Sequence, residues 1–398
     1  MIDPNAHAGP CARIGLIVNP IAGIGGRVGL KGSDGEEIQR QALELGAKPR
    51  ALDRAGEALE RLCPIADRIE LVTCPADMGE SVATRCGIPS RSIRILDTIG
   101  RGPTTAEDTK TAARDMLQAG IDLLLFVGGD GTARDIYDAV GERQVVLGIP
   151  AGVKIHSGVY AIGPSTAGDL ATAFLTGTRK DTRESEVLDA DEDSIRRGVV
   201  RTRLYGVLRV PDDVRRLQGA KAVRRDGAAA ATAIAERVVA EMDDDTLYIV
   251  GPGTTTRAVF DRLGLDKTLL GVDVLRAKAS VASDAGETRL LALLADNPPA
   301  RILVAPIGGQ GYLFGRGNQQ ISPAVLRRVG WKNVTILATP EKLNRLTTRP
   351  LLVDTGDSAT DRSLAGHVRV VCGADDVRIV RVAAVCDMNR ESEGAGIR

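Results

Sequence analysis

Aromatic residues and histidines are scarce in this chain of 398 residues. Phenylalanine, tryptophan and tyrosine together make up 3% of it, and there are three histidines. A chain this poor in aromatic side chains offers few surfaces on which nucleic-acid bases could stack. Lysine and arginine number 52, and aspartate and glutamate also number 52, so the formal net charge is zero. The sequence therefore lacks the basic surplus that is typical of nucleic-acid-binding domains.

The six cysteines are dispersed, and none belongs to a CxxC pair. Zinc sites need closely spaced ligands, so we interpret the cysteines as buried, reduced thiols. The apolar runs, of which Ile121–Val127 is typical, have the length of a strand and are too short to span a bilayer. Met1–Pro10 contains no basic stretch followed by an apolar core, so we expect no signal peptide and a cytoplasmic location.

The first 150 residues alternate short apolar runs with helical patterns. Ile14–Val18, Leu123–Val127 and Val145–Ile149 are apolar throughout, which is typical of parallel strands that are buried on both faces. Residues 1–150 are therefore expected to form an α/β domain with a parallel sheet covered by helices. Beyond Pro150 the pattern changes. The sequence predicts a second, mixed domain over residues 151–398, whose final segment is a candidate to return to the first domain.

A glycine-rich turn directly follows one of the apolar strands. Its sequence is Gly128-Gly129-Asp130-Gly131-Thr132, and it lies where open α/β sheets bind their ligands, at the carboxyl end of a strand. Glycines let backbone N–H groups approach phosphate oxygens without intervening side chains. Asp130 is the one carboxylate in the turn, which suits either a general base for an acceptor hydroxyl or a magnesium ligand. A simple helix-capping turn is the structural alternative.

Two sequence stretches suggest further contacts to a ligand. Thr254 and Thr255 follow the turn Gly251-Pro252-Gly253 at a predicted helix start, where hydroxyls can bind an anion or a ribose or simply cap the helix. The glycine-rich stretch 308–320 contains four polar side chains that suit a phosphate or a carbonyl as ligand, or a purely structural loop. These side chains are Gln310, Arg316, Asn318 and Gln319.

Several of these stretches resemble the superfamily shared by NAD kinases and diacylglycerol kinases, and more closely its ATP-NAD kinase-like branch, which includes the AcoX-like proteins of acetoin-degradation operons. The resemblance covers most of the chain, from about residue 13 to about residue 383. It is carried by Asn19-Pro20 with Gly23, Gly25 and Gly26, and by the stretches Gly128–Ile136, Gly148–Ser157, Gly251–Thr255, Ile307–Gly311 and Gly315–Gln320.

The resemblance implies an ATP-dependent kinase that transfers a phosphoryl group to a hydroxyl with the help of Mg²⁺; in NAD kinases that hydroxyl is the 2′-OH of the adenosine ribose of NAD. It also implies a Rossmann-like N-terminal domain and a C-terminal domain rich in β-structure. By the motif match Asp130 is the catalytic residue. The nucleotide-binding residues implied by the match are Asn19, Gly128, Gly129, Gly131, Thr132, Gly253, Thr254 and Thr255.

One departure concerns the acceptor. NAD kinases typically carry an Asn-Glu pair that binds NAD, and this chain contains no Asn-Glu dipeptide. In the corresponding interval lies an acidic cluster in which Asp189 and Glu192 are candidates for the same task, unless the cluster is a solvated turn. Lys154 and His156 are further candidates, since lysine suits phosphate and histidine can relay a proton; ordinary surface side chains are the alternative.

The sequence thus predicts a kinase of the NAD kinase type, with ATP or polyphosphate as donor and NAD as the first acceptor to consider. A kinase of a small hydroxy-ketone, a sugar or a lipid head group is the second hypothesis, and a non-catalytic nucleotide-binding regulator is the third. A P-loop mechanism is excluded, because no GxxxxGK[ST] pattern occurs. The expected partners are a small-molecule or nucleotide substrate and further copies of the chain, without nucleic acid or membrane.

Overall fold

The structure is a computed structural model, and it describes residues 12–24, 26, 28, 36–152, 155–190, 202–213, 216–217, 228–268, 270–307, 311–344, 346 and 350–388. The chain divides into two compact units. The first comprises the described residues within Met1–Gly23, Pro49–Asp189 and Arg203–Gln218. The second comprises those within Ile24–Lys48, Ala190–Thr202 and Gly219–Arg398.

The first unit is built on a five-stranded sheet in the order β3-β2-β1-β4-β5, and every neighbouring pair is parallel. Its strands are β1 (Ala12–Val18), β2 (Ile69–Thr73), β3 (Ile93–Ile95), β4 (Leu123–Gly128) and β5 (Val146–Pro150). The predicted parallel sheet is confirmed. The continuous apolar runs explain it, because β4 and β5 are buried along their whole lengths.

Helices occupy the connections of this sheet, as right-handed parallel crossovers require. The helix α1 (Glu36–Glu44) belongs to the second unit, and the next five belong to the first: α2 (Ala51–Leu59), α3 (Glu80–Arg85), α4 (Ala106–Gln118), α5 (Asp130–Val140) and α6 (Pro164–Leu175). The start of α4 is fixed by a reciprocal capping box, in which the Thr105 hydroxyl accepts the Asp108 N–H and the Asp108 carboxylate accepts the Thr105 N–H.

The strand order places a topological switch point between β1 and β4. After β1 the chain builds β2 and β3 on one side, and it then returns to build β4 and β5 on the other side. The connections that follow β1 and β4 therefore lead to opposite sides of the sheet, and the crevice between their starting points is the usual ligand site of open α/β sheets. The loop after β1 begins with Asn19, and the turn after β4 contains Asp130.

The first unit continues beyond Pro150, the residue at which the sequence placed the domain boundary. The helix α6 and the two-stranded sheet of β6 (Thr182–Ala190) and β7 (Thr202–Pro211) contribute to the same apolar core as the parallel sheet. Leu170, Val187 and Leu208 are all buried in it. Hydrophobic burial thus joins two further segments to the N-terminal sheet. They are the described residues from Ala151 to Asp189 and those within Arg203–Gln218.

The second unit contains a nine-stranded sheet in the order β10-β9-β8-β11-β13-β15-β16-β14-β12. Its strands are β8 (Leu247–Val250), β9 (Asp273–Arg276), β10 (Ala279–Ala282), β11 (Ala300–Val304), β12 (Tyr312–Phe314), β13 (Val334–Leu337), β14 (Leu351–Val353), β15 (Gly366–Val371) and β16 (Val377–Ala384). The predicted α/β fold with a β-rich C-terminal part is confirmed. The final strand, β16, pairs with β14 and β15 of this sheet.

Apolar residues cover both faces of the second sheet. Along β8, Leu247 and Ile249 pack in one core, and Tyr248 and Val250 pack in another, because successive side chains of a strand point to opposite faces. Besides α1, the described α-helices of this unit are α7 (Ala228–Ala240), α8 (Thr254–Leu263), α9 (Glu287–Leu293), α10 (Pro323–Val329), α11 (Pro340–Asn344) and α12 (Ser358–Leu364).

The five described cysteines all carry free thiols. Burial raises the pKa of the Cys74 thiol to about 12, so this side chain is an inert, protonated part of the core. Cys372 is also buried, but Cys63 is exposed. The expectation of uniformly buried thiols is wrong for Cys63, which follows α2 at the surface of the first unit.

Candidate active site

The glycine turn links β4 to α5 without an intervening loop. Gly128 ends the strand, Gly129 is the N-cap, and Asp130 is the first residue of the helix. A Cβ atom on Gly128 would lie 2.3 Å from the Thr132 hydroxyl oxygen, so only glycine fits there. The first N–H groups of a helix have no intrahelical partner. Together with the helix dipole they make the start of α5 suited to an anion such as phosphate.

The loop after β1 lies directly beside this turn. The backbone N–H of Asn19 donates to the carbonyl of Val127 at 3.0 Å, which continues the pairing of β1 with β4. The side-chain Nδ2 of Asn19 donates to the Thr132 hydroxyl at 3.1 Å. The structure therefore brings together Asn19 and Thr132, two residues that are 113 positions apart in the sequence.

A third loop, after β5, completes this edge of the sheet. The N–H groups of Ala151 and Gly152 both donate to the carbonyl of Gly128, at 2.9 and 3.0 Å. The backbones then approach so closely that a Cβ on Gly152 would lie 2.7 Å from the Cα of Gly129. The loop after β1 makes a similar approach, since a Cβ on Gly23 would lie 1.9 Å from the carbonyl oxygen of Ala151. Glycines thus let three loops converge.

The Asp130 carboxylate is held by the segment that follows this third loop. Its Oδ2 accepts the backbone N–H of His156 at 2.8 Å and lies 3.0 Å from the Nδ1 of the same residue. Its Oδ1 accepts the backbone N–H of Ser157 at 3.0 Å. The side chains of Asp130 and His156 are 12% and 8% exposed. The sequence predicted both residues as functional, but it did not predict that they contact each other.

A second layer of contacts fixes the segment that carries His156. The Ser157 hydroxyl accepts the N–H of Leu188 in β6 at 3.0 Å. The Tyr160 hydroxyl donates to the carbonyl of Gly129 at 2.5 Å, and its ring packs edge-on against Phe126 in β4. Sequence reasoning missed Ser157 and Tyr160. Such buried supporting groups keep a functional side chain in one geometry.

A charged network lies further along α5. The Lys110 Nζ is 2.9 Å from Asp138 and 3.7 Å from Asp135, and the Tyr205 hydroxyl donates to Asp138 at 3.0 Å. Burial raises the pKa of Asp135 to about 6, although Lys110 and Arg134 oppose that shift. Burial also acts to raise the pKa of Asp138, but hydrogen bonds from Lys110 and Tyr205 lower it overall. Ionisation of Asp135 therefore destabilises the folded state, whereas ionisation of Asp138 stabilises it.

Asp135→Asn should raise the free energy of unfolding at neutral pH by about 1–2 kcal/mol. Because the pKa of this carboxyl is higher in the folded state, the folded protein binds more protons there than the unfolded chain does. Its contribution to the free energy of unfolding therefore falls as pH rises from about 4 through 6. The gain should therefore vanish near pH 4. Urea unfolding between pH 4 and 7.5 measures it. Asp138→Asn is the control with the opposite sign, and a pH-independent difference for Asp135→Asn would contradict the argument.

In the second unit, the stretch Gly251–Thr255 leads from β8 into α8. Gly253 is the N-cap with φ of +124°, and Thr254 is the first residue of the helix. The Thr254 side chain is exposed, and Thr255 is 3% exposed. The hydroxyl of Thr256, which follows them, donates to the carbonyls of Gly251 and Gly253 at 2.8 and 3.0 Å. This hydroxyl stabilises the turn itself.

The described side chains of the glycine-rich stretch 308–320, which contains β12, make contacts within the second unit. The Arg316 Nε lies 3.3 Å from the Asp354 carboxylate, and the guanidinium stacks over the Tyr312 ring at 5.0 Å. The Asn318 amide donates to the carbonyl of Leu313 at 2.7 Å. Since Asp354 directly follows β14, the Arg316 contact links the ends of two paired strands. Gln310 lies outside the described residues.

The remaining acceptor candidates are described only in part. Lys154 and Glu192 lie outside the described residues, and Asp189 lies in β6 with a side chain that is outside them as well. Within the described part of the chain, no group of three or more histidine, cysteine, aspartate and glutamate side chains could hold a metal ion alone. None of the described helices is both long and apolar enough to cross a membrane.

The α/β fold and this convergence of glycine-rich loops suit the binding of phosphate groups. Comparison with protein-family models identifies the chain as a phosphotransferase. The model of the ATP-NAD kinase N-terminal domain matches residues 14–179, and that of the ATP-NAD kinase C-terminal domain matches residues 243–382. No curated protein and no solved structure matched the chain. The chain belongs to the ATP-NAD kinase family, and it is a kinase of the NAD kinase type.

Proposed function

We propose that this protein transfers the γ-phosphoryl group of ATP to the 2′-OH of the adenosine ribose of NAD, forming NADP and ADP. The observation that carries the proposal is the Asp130 carboxylate, fixed by three contacts at the glycine turn. In this reaction the acceptor oxygen forms a bond to the γ-phosphorus, and the bond between that phosphorus and the ADP oxygen breaks. The hydroxyl proton must leave, and a buried carboxylate site beside the phosphates is suited to direct it.

The phosphates are assigned to the turn after β4. Gly129, Gly131 and Thr132 would contact them through N–H groups at the start of α5, and Gly128 would let them approach the end of β4. Asn19 would orient the Thr132 hydroxyl through their hydrogen bond. In the second unit, the exposed hydroxyl of Thr254, with Gly253 and Thr255, would supply a further nucleotide contact. These assignments rest on the chemistry of each turn together with the family.

Mg²⁺ is the divalent cation that such a reaction uses, and proteins commonly bind it through one or two carboxylates plus phosphate oxygens. The donor set fits that mode, because Asp130 supplies one carboxylate at the edge of the phosphate-binding turn. The cation would neutralise charge on the phosphates. The protein's own task is then to place the phosphates and the acceptor hydroxyl in line.

The missing Asn-Glu pair supports one alternative acceptor class. Without it, the NAD contacts must come from other side chains, for which Lys154, His156, Asp189 and Glu192 are the candidates. A smaller acceptor such as a hydroxy-ketone needs fewer contacts, and it would accord with the AcoX-like branch. We further propose polyphosphate as an alternative donor, a homo-oligomeric state and a cytoplasmic location.

The direct test is NADP formation. The purified full-length protein, incubated with ATP, Mg²⁺ and NAD, should produce NADP that an NADP-specific dehydrogenase detects. Polyphosphate replaces ATP in a second reaction, and acetoin and other small hydroxyl compounds replace NAD in a third. Phosphorylation of a hydroxy-ketone without any NADP would overturn NAD as the acceptor and leave the kinase in place. Tight nucleotide binding without turnover on any acceptor would favour a regulator.

A further inference from the structure

The second sheet has a topological switch point of its own, between β8 and β11. After β8 the chain builds β9 and β10 on one side of that strand, and it then returns to build β11 on the other side. The strands β8 and β11 are parallel, with Val250 opposite Leu303, so their carboxyl ends lie side by side. Strand ends at such a point are where α/β sheets bind ligands. The second unit therefore has a candidate ligand crevice formed by its own strands.

The segment from Gly317 to Ile321 lies across these two strand ends. A Cβ on Gly317 would lie 3.3 Å from the side chain of Ile307, which follows β11. A Cβ on Gly251, which follows β8, would lie 3.8 Å from the side chain of Ile321. The N–H of Ile321 also donates to the backbone carbonyl of Asn318 at 2.9 Å. Contacts to both strand ends therefore hold Asn318 at the crevice.

The side-chain carbonyl of Asn318 has no hydrogen-bond donor among the described residues. The residue is 1% exposed, and its Nδ2 donates to the carbonyl of Leu313 at 2.7 Å. That bond identifies the other end of the amide as the oxygen, and it turns this oxygen away from Leu313. Proteins pair the large majority of their buried polar atoms, because an unpaired one is costly. The Oδ1 of Asn318 is therefore suited to a ligand that donates a hydrogen bond.

The start of α8 supplies a complementary feature at the same crevice. Its N-cap, Gly253, has a φ of +124°, and the first N–H groups of the helix have no intrahelical partner. These groups suit an anion, and Thr254 adds an exposed hydroxyl. A ligand that satisfies both features carries an anionic group and an N–H or O–H donor. An adenine nucleotide has both, because it combines phosphates with an amino group and ribose hydroxyls.

We propose that the crevice after β8 and β11 binds an adenine nucleotide and that Asn318 recognises it. The Oδ1 of Asn318 accepts a hydrogen bond from the amino group or from a ribose hydroxyl, while a phosphate lies at the start of α8. The proposal rests on the nucleotide contact proposed above for Thr254 and deepens it, because it adds the residue that recognises the nucleoside. The sequence suggested a phosphate or a carbonyl as the ligand of this stretch. An ionised phosphate and a carbonyl only accept hydrogen bonds, so neither satisfies Oδ1.

The test measures binding at this crevice and does not require turnover. Hydrogen exchange followed by mass spectrometry gives the concentration of ADP that half-protects the amides at the start of α8. ADP is the part that ATP and NAD share, and at pH 8 its donors are the amino group and the two ribose hydroxyls. IDP, 2′-deoxyADP and 3′-deoxyADP each lack one of these donors. In the wild-type protein, one of the three analogues should need a concentration about tenfold higher than ADP does.

Asn318→Ala should bind all four nucleotides equally, about tenfold more weakly than the wild-type protein binds ADP. Asn333→Ala is the matched control, because the Asn333 Nδ2 also donates to a backbone carbonyl, that of Val329, at 2.7 Å in the same unit. This variant loses an equivalent bond and should keep the wild-type preference. A preference that survives in Asn318→Ala would overturn the proposal, and so would a wild-type protein in which ADP does not protect the start of α8.

A crystal structure of the wild-type protein with ADP gives a second measurement that needs no variant. It should place a nitrogen or oxygen donor of the nucleotide within about 3.2 Å of the Asn318 Oδ1. A water molecule or another group of this chain in that position would overturn the proposal even if NADP is formed. The predicted preference without any NADP would support the crevice and refute only NAD as the acceptor.

Discussion

Asp130→Asn should lower kcat by about two to four orders of magnitude while the dissociation constant for ATP changes no more than a few-fold. In the proposed reaction, the substitution removes the negative charge that would receive or direct the acceptor proton, but it leaves the N–H groups of the turn in place. In the wild-type protein the backbone N–H groups of His156 and Ser157 both donate to the carboxylate. The amide of the variant would place its own N–H₂ group against one of these donors. Some loss of stability, about 1–3 kcal/mol, should accompany the loss of rate.

The control lies on the same helix. Asp135→Asn removes a carboxylate that contacts Lys110, so it should retain the wild-type rate. Single-turnover kinetics measure the chemical step, and calorimetry with ATP measures binding and shows that each variant is folded. If Asp130→Asn kept most of its turnover, Asp130 would have no place in the mechanism. A parallel loss of binding and rate would instead make it a nucleotide ligand.

The part of the site that the sequence predicts is the part made by local structure. A continuous apolar run that ends in glycines fixes both the strand β4 and the turn after it, since the chain has no room for a loop between Gly128 and Asp130. The same reasoning places Asn19 at the end of β1. Because neighbouring parallel strands end at one edge of the sheet, the two motifs had to be close.

The parts that the sequence does not predict depend on distant pairing. The strands β12 and β14 have three residues each, and their apolar patterns are too short to distinguish from loops. The contact of His156 with Asp130 depends on the irregular backbone after β5, which no periodicity encodes.

Gly23→Ala should have the largest effect on stability among substitutions at the site. Gly23 has φ of +75°, and a Cβ there would lie 1.9 Å from the backbone oxygen of Ala151. An alanine pays about 1 kcal/mol for the left-handed conformation, and it must also push the loop after β1 away from the loop after β5. Overpacking of this kind costs about 1–3 kcal/mol more. We therefore expect a total loss of about 2–4 kcal/mol in the free energy of unfolding.

Gly87→Ala separates the two contributions. Gly87 belongs to the same unit and has nearly the same φ, +72°, but no atom lies within 4 Å of the position of its Cβ. The Gly87→Ala variant should therefore lose only about 1 kcal/mol of unfolding free energy. Urea unfolding followed by far-UV circular dichroism compares the variants. Because the displaced loop carries Asn19, which contacts Thr132, Gly23→Ala should also weaken ATP binding by about tenfold, and Gly87→Ala should not. Equal losses of stability in the two variants would mean that the loops after β1 and β5 do not pack as closely as the Gly23–Ala151 contact requires.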